Sequence, residues 1–213
     1  MQIIKVVKLG GSIITRKDKP FTINVPILCE LAQQISRYLR DNPNIALILI
    51  HGGGSYGHIL VRECLNVYGR ITHECFVRTA HYMMVLNNIV LEVLLANNIK
   101  AISIPTRSIC YADGSTIICD MEQMRRYLSG GILPVIFGDV IIDVGRKEYI
   151  VLSGDKLAQI IAHDLSVKEI IFVTDVDGIF TSDPKRDKSA KLIRELKANE
   201  VLSKVKFKEV GDV

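Results

Sequence analysis

Three glycine-rich turns hold the residues of this chain that are best suited to chemistry, and each turn follows an apolar run. They read K-L-G-G-S at positions 8–12, H-G-G-G-S-Y-G-H at 51–58 and S-G-D at 153–155. Glycine allows backbone N–H groups to approach an oxyanion closely, and ligands of open α/β sheets collect where strands end. Basic side chains lie near the turns in the sequence: Lys8, Lys17, Lys19 and His58. Together these features predict phosphate binding.

Two standard nucleotide-binding signatures are missing. No G-x-x-x-x-G-K-S/T occurs and no G-x-G-x-x-G opens the first helix, which excludes a Walker-type NTPase and argues against a dinucleotide dehydrogenase. A further loop, T-D-V-D-G at 174–178, follows another apolar run. By itself it fits a capping turn or a calcium-like loop, although the remaining acidic ligands of an EF-hand are absent.

The elements that must position these turns are visible as apolar patterns. Continuous apolar runs at 3–9, 45–50, 101–104, 133–137 and 169–174 predict buried strands. Helical stripes lie at 26–39, where Asn24 can cap the first turn, and at 76–94, and a helical run covers 156–163. Closely spaced runs at 135–137, 140–143 and 149–152, with a turn at 144–147, predict a β-hairpin near 135–152. We therefore expect a three-layer αβα sandwich with a mostly parallel central sheet.

Composition narrows the class of protein further. A chain of 213 residues that is 48% hydrophobic and 23% charged is globular rather than disordered. The net charge of +4 suits an anionic small molecule and is too small to require a nucleic-acid partner. The apolar runs are shorter than the ~20 residues that cross a bilayer, and the N-terminus lacks the order of a signal peptide. We expect a cytoplasmic protein that binds no membrane.

The five cysteines predict neither zinc nor disulfides. Their number is odd and no C-x-x-C spacing occurs among Cys29, Cys64, Cys75, Cys110 and Cys119. They are interpreted as small buried thiols in a reducing compartment, and no protein metal ligand is assigned.

The motifs taken together resemble those of the amino acid kinase superfamily. The resemblance rests on K-L-G-G-S, H-G-G-G-S-Y-G-H, G-D-V at 138–140, S-G-D and T-D-V-D-G in this order, from Lys5 to about Pro184. Within the superfamily, the second histidine of H-G-G-G-S-Y-G-H is similar to that of isopentenyl phosphate kinases and their fosfomycin-kinase relatives. L-N-N-I-V at 86–90 resembles the helix that lines the isoprenoid pocket. The resemblance implies ATP-dependent phosphorylation of a phosphate monoester, such as isopentenyl phosphate, with Mg²⁺ on the ATP phosphates.

The resemblance also implies a role for each site residue. Lys8 and Lys17 match the lysines that hold the transferring phosphoryl group, and Asp155 matches the carboxylate that orients Lys8. His58 matches the side chain on the acceptor phosphate, while His51 is expected to be structural. Gly53 and Gly154 match residues whose backbone N–H groups donate to the acceptor. The residues that match ATP-binding positions of the family are Lys8, Gly10, Gly11, Ser12, Gly54, Thr174, Asp175, Asp177 and Gly178. Since a phosphate acceptor is already ionised, no general base is required.

The apolar cluster of Tyr82, Met83 and Met84 is the predicted pocket for the acceptor's tail, although a helical stripe of this kind can equally be core. The sequence departs from the family's pattern at Ile59, where proline is frequent, and at Lys156, where a second aspartate is usual. Lys156 adds charge beside the site and could alter the choice of acceptor. Two alternatives stay open. One is a kinase of the same fold for fosfomycin, a nucleoside monophosphate or an acidic amino acid. The other is a non-catalytic protein that binds nucleotides or oxyanions.

The expected organisation is a single amino acid kinase domain over 1–213. Residues 1–145 are expected to form an acceptor-binding lobe that also forms a homodimer, and residues 146–213 an ATP-binding lobe. In the family a D-V-T-G-G-M type segment begins where this sequence reads Asp212-Val213. We therefore expect the natural chain to continue beyond Val213; the alternative is a short homologue that covers the same face of the sheet by oligomerisation.

Overall fold

The computed structural model describes residues 2–16 and 18–197. The chain divides into two compact units, one ending at Val173 and one beginning at Thr174. The strands of the first unit are β1 (Ile3–Leu9), β2 (Ile45–His51), β3 (Ala101–Ser103), β4 (Cys110–Asp113), β5 (Thr116–Cys119), β6 (Leu133–Phe137), β7 (Asp139–Asp143), β8 (Glu148–Leu152) and β9 (Glu169–Val173). Its helices are α1 (Gly11–Ile14), α2 (Val25–Asp41), α3 (Gly54–Tyr68), α4 (His73–Ala96), α5 (Thr106–Ile109), α6 (Glu122–Ser129) and α7 (Gly154–Asp164).

The five predicted strands are confirmed, but their predicted burial is wrong for two of them. Ile171 and Phe172 of β9 are 37% and 49% exposed and β3 is half-buried, because both strands lie at the edges of the central sheet. Within the described residues it has five parallel strands in the order β3-β6-β2-β1-β9. The register places Leu9 opposite His51 and Val173, and His51 opposite Phe137. Four strands therefore end at the same level, and the first two glycine-rich turns begin at this edge.

Helices cover both faces of the sheet, as expected for a three-layer sandwich. Because successive strand residues point to opposite faces, Val6 packs with α6 and α7 whereas Val7 packs with α2 and α4. The buried helix residues on the first face include Met124, Leu128, Leu157 and Ile161; those on the second include Leu28, Ile35, Leu86 and Val90. This burial fixes the positions of α3, α4 and α7 relative to the strand ends.

A smaller sheet carries the predicted hairpin. Among the described residues its four strands follow the order β5-β4-β7-β8, and β7 pairs antiparallel with β8. The run at 135–137, grouped with the hairpin in the sequence, belongs instead to β6 of the parallel sheet. Sequence analysis missed β4 and β5, which form a hairpin around Asp113-Gly114, with Gly114 at φ +64°. An Asp-Gly pair between alternating residues is the local signal that could have found it.

The expectation that all cysteines are unpaired was wrong. Cys64 of α3 is bonded to Cys75 of α4, and Cys110 of β4 is bonded to Cys119 of β5; Cys29 is free. The α3–α4 reversal brings the first pair to a Cα–Cα distance of 6.3 Å, and the β4–β5 register sets the second pair opposite each other at 4.1 Å. Neither proximity is visible in the spacing of the cysteines.

The two predicted amphipathic helices are confirmed and extend slightly further than their apolar stripes. Asn24 occupies the N-cap position of α2, but its side chain makes no capping hydrogen bond. Within the described residues, only α4 is long and apolar enough to cross a membrane by length and composition. Its side chains Met83, Leu86, Val90 and Leu94 lie in the protein core, as in the central helix of a folded domain.

The second unit is small in its described part. Strands β10 (Ile179–Phe180) and β11 (Leu192–Ile193) pair antiparallel. The loop 174–178 precedes β10.

Candidate active site

The first and second glycine-rich turns touch through their backbones. A Cβ on Gly11 would lie 2.3 Å from the backbone N of Gly54, and one on Gly52 would lie 2.8 Å from the backbone N of Gly11. Separations below 3.0 Å are not tolerated by a real Cβ, so these residues must be glycine. The requirement is steric. It brings the turn at 8–12, predicted to bind ATP, against the turn at 51–58, predicted to bind the acceptor and called the acceptor turn below; together they form one backbone cradle.

Thr15 joins the same two turns through its side chain. Its buried hydroxyl donates to the carbonyl of Gly11 (2.7 Å) and accepts from the N–H of Ser55 (2.9 Å). Sequence analysis did not single out Thr15, because a lone threonine after an apolar pair carries no motif signal.

The third turn meets the second through the peptide groups around it. The N–H of Gly138 donates to the carbonyl of His51 at 3.0 Å, and a Cβ on Gly138 would lie 2.8 Å from the N of Gly154. Gly154 begins α7, and Ser153 caps that helix by accepting from the N–H of Lys156 at 3.1 Å. The helix therefore starts beside the end of β2.

Lys8 reaches from β1 to this helix start. Its Nζ lies 2.9 Å from Oδ1 and 3.1 Å from Oδ2 of Asp155. The Lys8 side chain is 14% exposed, whereas the Asp155 side chain is 60% exposed. Asp155 thus pairs with the ammonium group of a largely buried lysine side chain, as the family resemblance implied.

His58 lies in the first turn of α3. Partial burial of its ring, together with the positive charges of Lys8 and Arg62, lowers the pKa of His58 below its ordinary value. The shift favours the neutral imidazole over the imidazolium. The influence of Lys8 on His58 also means that the two predicted catalytic side chains share one electrostatic environment.

The acceptor turn rests on α4. Met83 is 1% exposed, and its Sδ lies 3.2 Å and 2.9 Å from the positions that a Cβ on Gly53 and on Gly57 would occupy. Tyr82 stacks on Phe21 with ring centroids 4.4 Å apart, and Met84 packs, partly buried, against the same core. Phe21 was not predicted, because its left-handed backbone (φ +49°) and ring stacking depend on residues far away in the sequence.

Of the remaining predicted residues, Gly10 and Ser12 flank Gly11 in the first turn, and the backbone C of Gly10 lies 3.8 Å from the position that a Cβ on Gly52 would occupy. Gly10 donates its N–H to the carbonyl of Val173 at 2.9 Å, and Ser12 lies in α1. The loop of Thr174, Asp175, Asp177 and Gly178 lies in the second unit, where Asp175 pairs with Lys185 at 2.5 Å. Lys17 lies outside the described residues.

Asp139 and Arg107 form an ion pair in which the carboxylate is buried. Asp139 of the G-D-V motif is 3% exposed, and its Oδ2 lies 2.6 Å from Nη1 of Arg107. Burial raises the pKa of Asp139 to about 6, although the charge of Arg107 acts in the opposite direction. Sequence analysis used Asp139 only as part of a motif and did not predict its partner.

Comparison with known proteins agrees with this geometry. The model of the amino acid kinase family matches residues 4–211. The isopentenyl phosphate kinase of Methanothermobacter thermautotrophicus is 32% identical over 198 residues, which are 88% of this chain and 73% of that protein. That of Methanocaldococcus jannaschii is 32% identical over 83% of this chain and 70% of its own.

Solved structures give the same result. An X-ray structure of isopentenyl phosphate kinase has a TM-score of 0.81 at 33% identity and covers 89% of this chain and 80% of its own. The product complex of the Thermoplasma acidophilum enzyme has a TM-score of 0.80 at 28% identity, over 94% and 82% of the two chains. Aspartate kinase from Synechocystis, at 20% identity and a TM-score of 0.71, shares the fold over 93% of this chain and 32% of its own. The chain therefore belongs to the amino acid kinase family, and within it to the group formed by the isopentenyl phosphate kinases.

Proposed function

We propose that this protein transfers the γ-phosphoryl group of ATP to isopentenyl phosphate and forms isopentenyl diphosphate. The observation that carries the proposal is the Lys8–Asp155 ion pair at the start of α7, where the Lys8 Cε lies 3.6 Å from the position of a Cβ on Gly154. The positive charge of Lys8 also acts on His58. The names of the relatives and the solved structures support the same reaction. None of these three lines of support depends on the apolar pocket. The pocket bears only on the chemical nature of the acceptor's tail.

The reaction needs positive groups and backbone donors more than it needs acid–base chemistry. Phosphoryl transfer brings two anions into line, and positioning with charge neutralisation supplies most of the rate. Lys8 stabilises the charge on the transferring phosphoryl group, and Lys17 is proposed to do the same. The backbone N–H groups of Gly53 and Gly154 bind the acceptor phosphate, while those of Gly10, Gly11 and Gly54, with Ser12, bind the phosphates of ATP.

His58 is the proposed donor to the acceptor phosphate. The lowered pKa of its ring favours the neutral form in the free protein, and a phosphate dianion beside it raises that pKa. Acceptor binding therefore favours uptake of a proton by His58. The protonated ring then donates a charge-assisted hydrogen bond and offsets the negative charge of the acceptor.

The binding of the adenosine part of ATP is assigned to the loop at the start of the second unit. Thr174, Asp175, Asp177 and Gly178 form the proposed nucleotide loop, in an ATP-binding lobe over 146–213. Mg²⁺ is expected on the ATP phosphates, where it neutralises the charge of the donor. Its coordination is proposed to be mainly by phosphate and water, with no protein ligand assigned.

The tail of the acceptor is proposed to lie against α4. Met83 packs under Gly53, and its neighbours Tyr82 and Met84 are partly buried apolar side chains; such a lining suits a prenyl chain better than a nucleobase or a carboxylate. We further propose a cytoplasmic homodimer that pairs through residues 1–145.

A coupled assay of ADP release tests the acceptor. Isopentenyl phosphate, dimethylallyl phosphate, fosfomycin, UMP and glutamate are compared in parallel at one ATP concentration. We expect the highest kcat/KM for the two prenyl phosphates. Preference for UMP, fosfomycin or glutamate would instead support a kinase of the same fold with another acceptor. ATP binding with no turnover on any acceptor would support the non-catalytic alternative.

A further inference from the structure

His51 is buried at the end of β2, directly before the glycines of the acceptor turn. Its side chain is 0% exposed, and its ring stacks on Phe137 of β6 with centroids 5.2 Å apart. The mechanism proposed above gives this ring no task. Two hydrogen bonds nevertheless define its orientation.

Those two hydrogen bonds fix which ring nitrogen carries the proton. Nδ1 lies 3.1 Å from the carbonyl oxygen of Gly52, and Nε2 lies 3.1 Å from the amide nitrogen of Asn87, which is also 0% exposed. A carbonyl oxygen only accepts, so the proton sits on Nδ1; an amide NH₂ only donates, so Nε2 accepts. Burial lowers the pKa of His51 to about 4, so the ring is neutral at physiological pH.

The bond from Nδ1 orients a peptide group of the acceptor turn. The carbonyl of Gly52 and the N–H of Gly53 belong to the same peptide unit, and no described peptide bond is cis. In a trans peptide these two groups point in opposite directions. Holding the Gly52 carbonyl toward the imidazole therefore turns the Gly53 N–H away from the ring, and no backbone acceptor among the described residues takes that N–H.

Asn87 sits on the helix face that supports the same turn. It lies one helical turn after Met83, whose Sδ packs under Gly53 and Gly57. The buried face of α4 thus makes an apolar contact and a polar contact with one loop. A helix whose only task was to fill the core would not need a buried amide at this position, because unpaired amide atoms in a core are costly. The Asn87 Oδ1 is in fact left without a hydrogen-bond partner.

We propose that His51 and Asn87 are a positioning pair for the reaction: Asn87 holds the Nδ1–H tautomer of His51, and His51 aims the Gly53 N–H at the acceptor phosphate. The inference rests on the proposed function, since Gly53 is assigned to the acceptor there. Neither side chain touches the substrate, so both act through the backbone of the turn.

Two substitutions of His51 separate positioning from simple core packing. In His51→Asn the amide nitrogen replaces Nδ1 and can still donate to the Gly52 carbonyl. In His51→Gln the amide lies at the place of Nε2, where its oxygen can accept from the Asn87 amide but no donor reaches the Gly52 carbonyl. We expect His51→Asn to keep an acceptor KM close to that of the wild type. We expect His51→Gln to raise it about 10-fold or more, because a donor to a charged phosphate is misdirected. The KM for ATP should stay unchanged in both.

A purely structural role predicts the reverse order, since His51→Gln is the larger side chain and keeps the partner in α4. Equal acceptor KM values for the two variants, or a lower value for His51→Gln, would overturn the positioning role. If the wild type fails to phosphorylate any prenyl phosphate, the proposed function fails instead. The two failures are thus distinguishable.

The tautomer itself is measurable without activity or a variant. Long-range ¹H–¹⁵N spectra of the wild-type protein should show a neutral His51 with a protonated Nδ1 and a bare Nε2. In Asn87→Leu, which removes the amide, we expect that tautomer to lose its dominance and the acceptor KM to rise. A wild-type proton on Nε2 would refute the proposal even if both His51 variants failed to fold.

Discussion

The acceptor turn at 51–58 and the nucleotide loop at 174–178 arise from similar sequences, a glycine-containing stretch after a β-strand, but they are built differently. In the acceptor turn the residues from His51 to Gly57 are buried or half-buried, and backbone meets backbone. In the loop Thr174, Asp175, Asp177 and Gly178 are all exposed. The turn is thus a preformed backbone cradle, whereas the loop exposes polar side chains; we propose that the acceptor phosphate binds the former.

The largest effect is expected where the backbones are closest. Gly11→Ala places a Cβ 2.3 Å from the N of Gly54, so the two turns must separate. We expect turnover to be lost and the free energy of unfolding to fall by about 3 kcal/mol, the upper range for overpacking. Urea unfolding and the ADP-release assay measure the two effects.

Gly114→Ala is the matched control. Gly114 has φ +64° but no atom within 4 Å of an added Cβ, so only backbone strain is introduced, about 1 to 2 kcal/mol. Its turnover should be that of the wild type. If Gly11→Ala proved as stable and as active as Gly114→Ala, the preformed cradle would be disproved.

Lys8→Met tests the charge that the cradle holds. The substitution keeps most of the apolar stem and removes the ammonium group, and we expect kcat to fall about 1,000-fold. Lys5→Met is the control, because Lys5 lies on the same strand and pairs with Glu169 at 2.5 Å. Similar kcat losses in both variants would indicate damage to β1 rather than loss of a catalytic charge.

His58→Ala should lower kcat on isopentenyl phosphate about 100-fold while ATP affinity stays close to the wild-type value. Loss of a charge-assisted donor that acts only on the acceptor explains this split. His163→Ala, near the end of α7 where the side chain is 89% exposed, should leave both parameters unchanged.

Asp177→Asn in the nucleotide loop should show the opposite pattern. We expect a higher KM for ATP with an unchanged KM for the acceptor. Steady-state kinetics with each substrate varied in turn measures both constants. A full kcat for His58→Ala, or an acceptor defect for Asp177→Asn, would break the division between the two regions.

The buried carboxyl group of Asp139 makes the stability of the protein depend on pH. Because burial raises its pKa from 3.8 to about 6, the folded state binds this proton more tightly than the unfolded state. Its contribution to stability is therefore largest below about pH 4, is lost as the pH rises to about 6, and amounts to on the order of 2 to 3 kcal/mol.

Urea unfolding of the wild type and Asp139→Asn across this pH range measures the effect. The difference between their unfolding free energies should fall with rising pH. Asp18→Asn serves as a control of sign below about pH 4: a hydrogen bond from Arg16 lowers the pKa of Asp18 from 3.8, so its contribution to stability is lost as the pH falls. A difference for Asp139→Asn that does not change with pH would contradict the stated pKa.

Sequence patterns were sufficient for the parts of the fold whose signal is local. Apolar runs located the five central strands, and the glycine motifs located the cradle, because both depend on neighbouring residues. The Lys8–Asp155 pair spans 147 positions and was predicted only through the family resemblance.

The features that sequence analysis missed depend on contacts between distant segments. Thr15 bonds to Ser55 and Phe21 packs on Tyr56, and both contacts join segments that are far apart in the sequence. The disulfide of Cys64 with Cys75 needs the α3–α4 reversal, and the partner of Asp139 comes from the short helix α5. Spacing along the chain carries no information about these pairings.

Backbone amide NMR tests the central claim most directly, namely that the acceptor phosphate binds the buried turn. In a titration with isopentenyl phosphate alone, we expect the amide signals of Gly53 and Gly154 to shift and that of Gly178 to stay in place. A non-hydrolysable ATP analogue should shift Gly178 instead, together with Gly10 and Gly11. An isopentenyl phosphate titration that shifted Gly178 and left Gly53 unmoved would contradict the assignment of the acceptor to this turn.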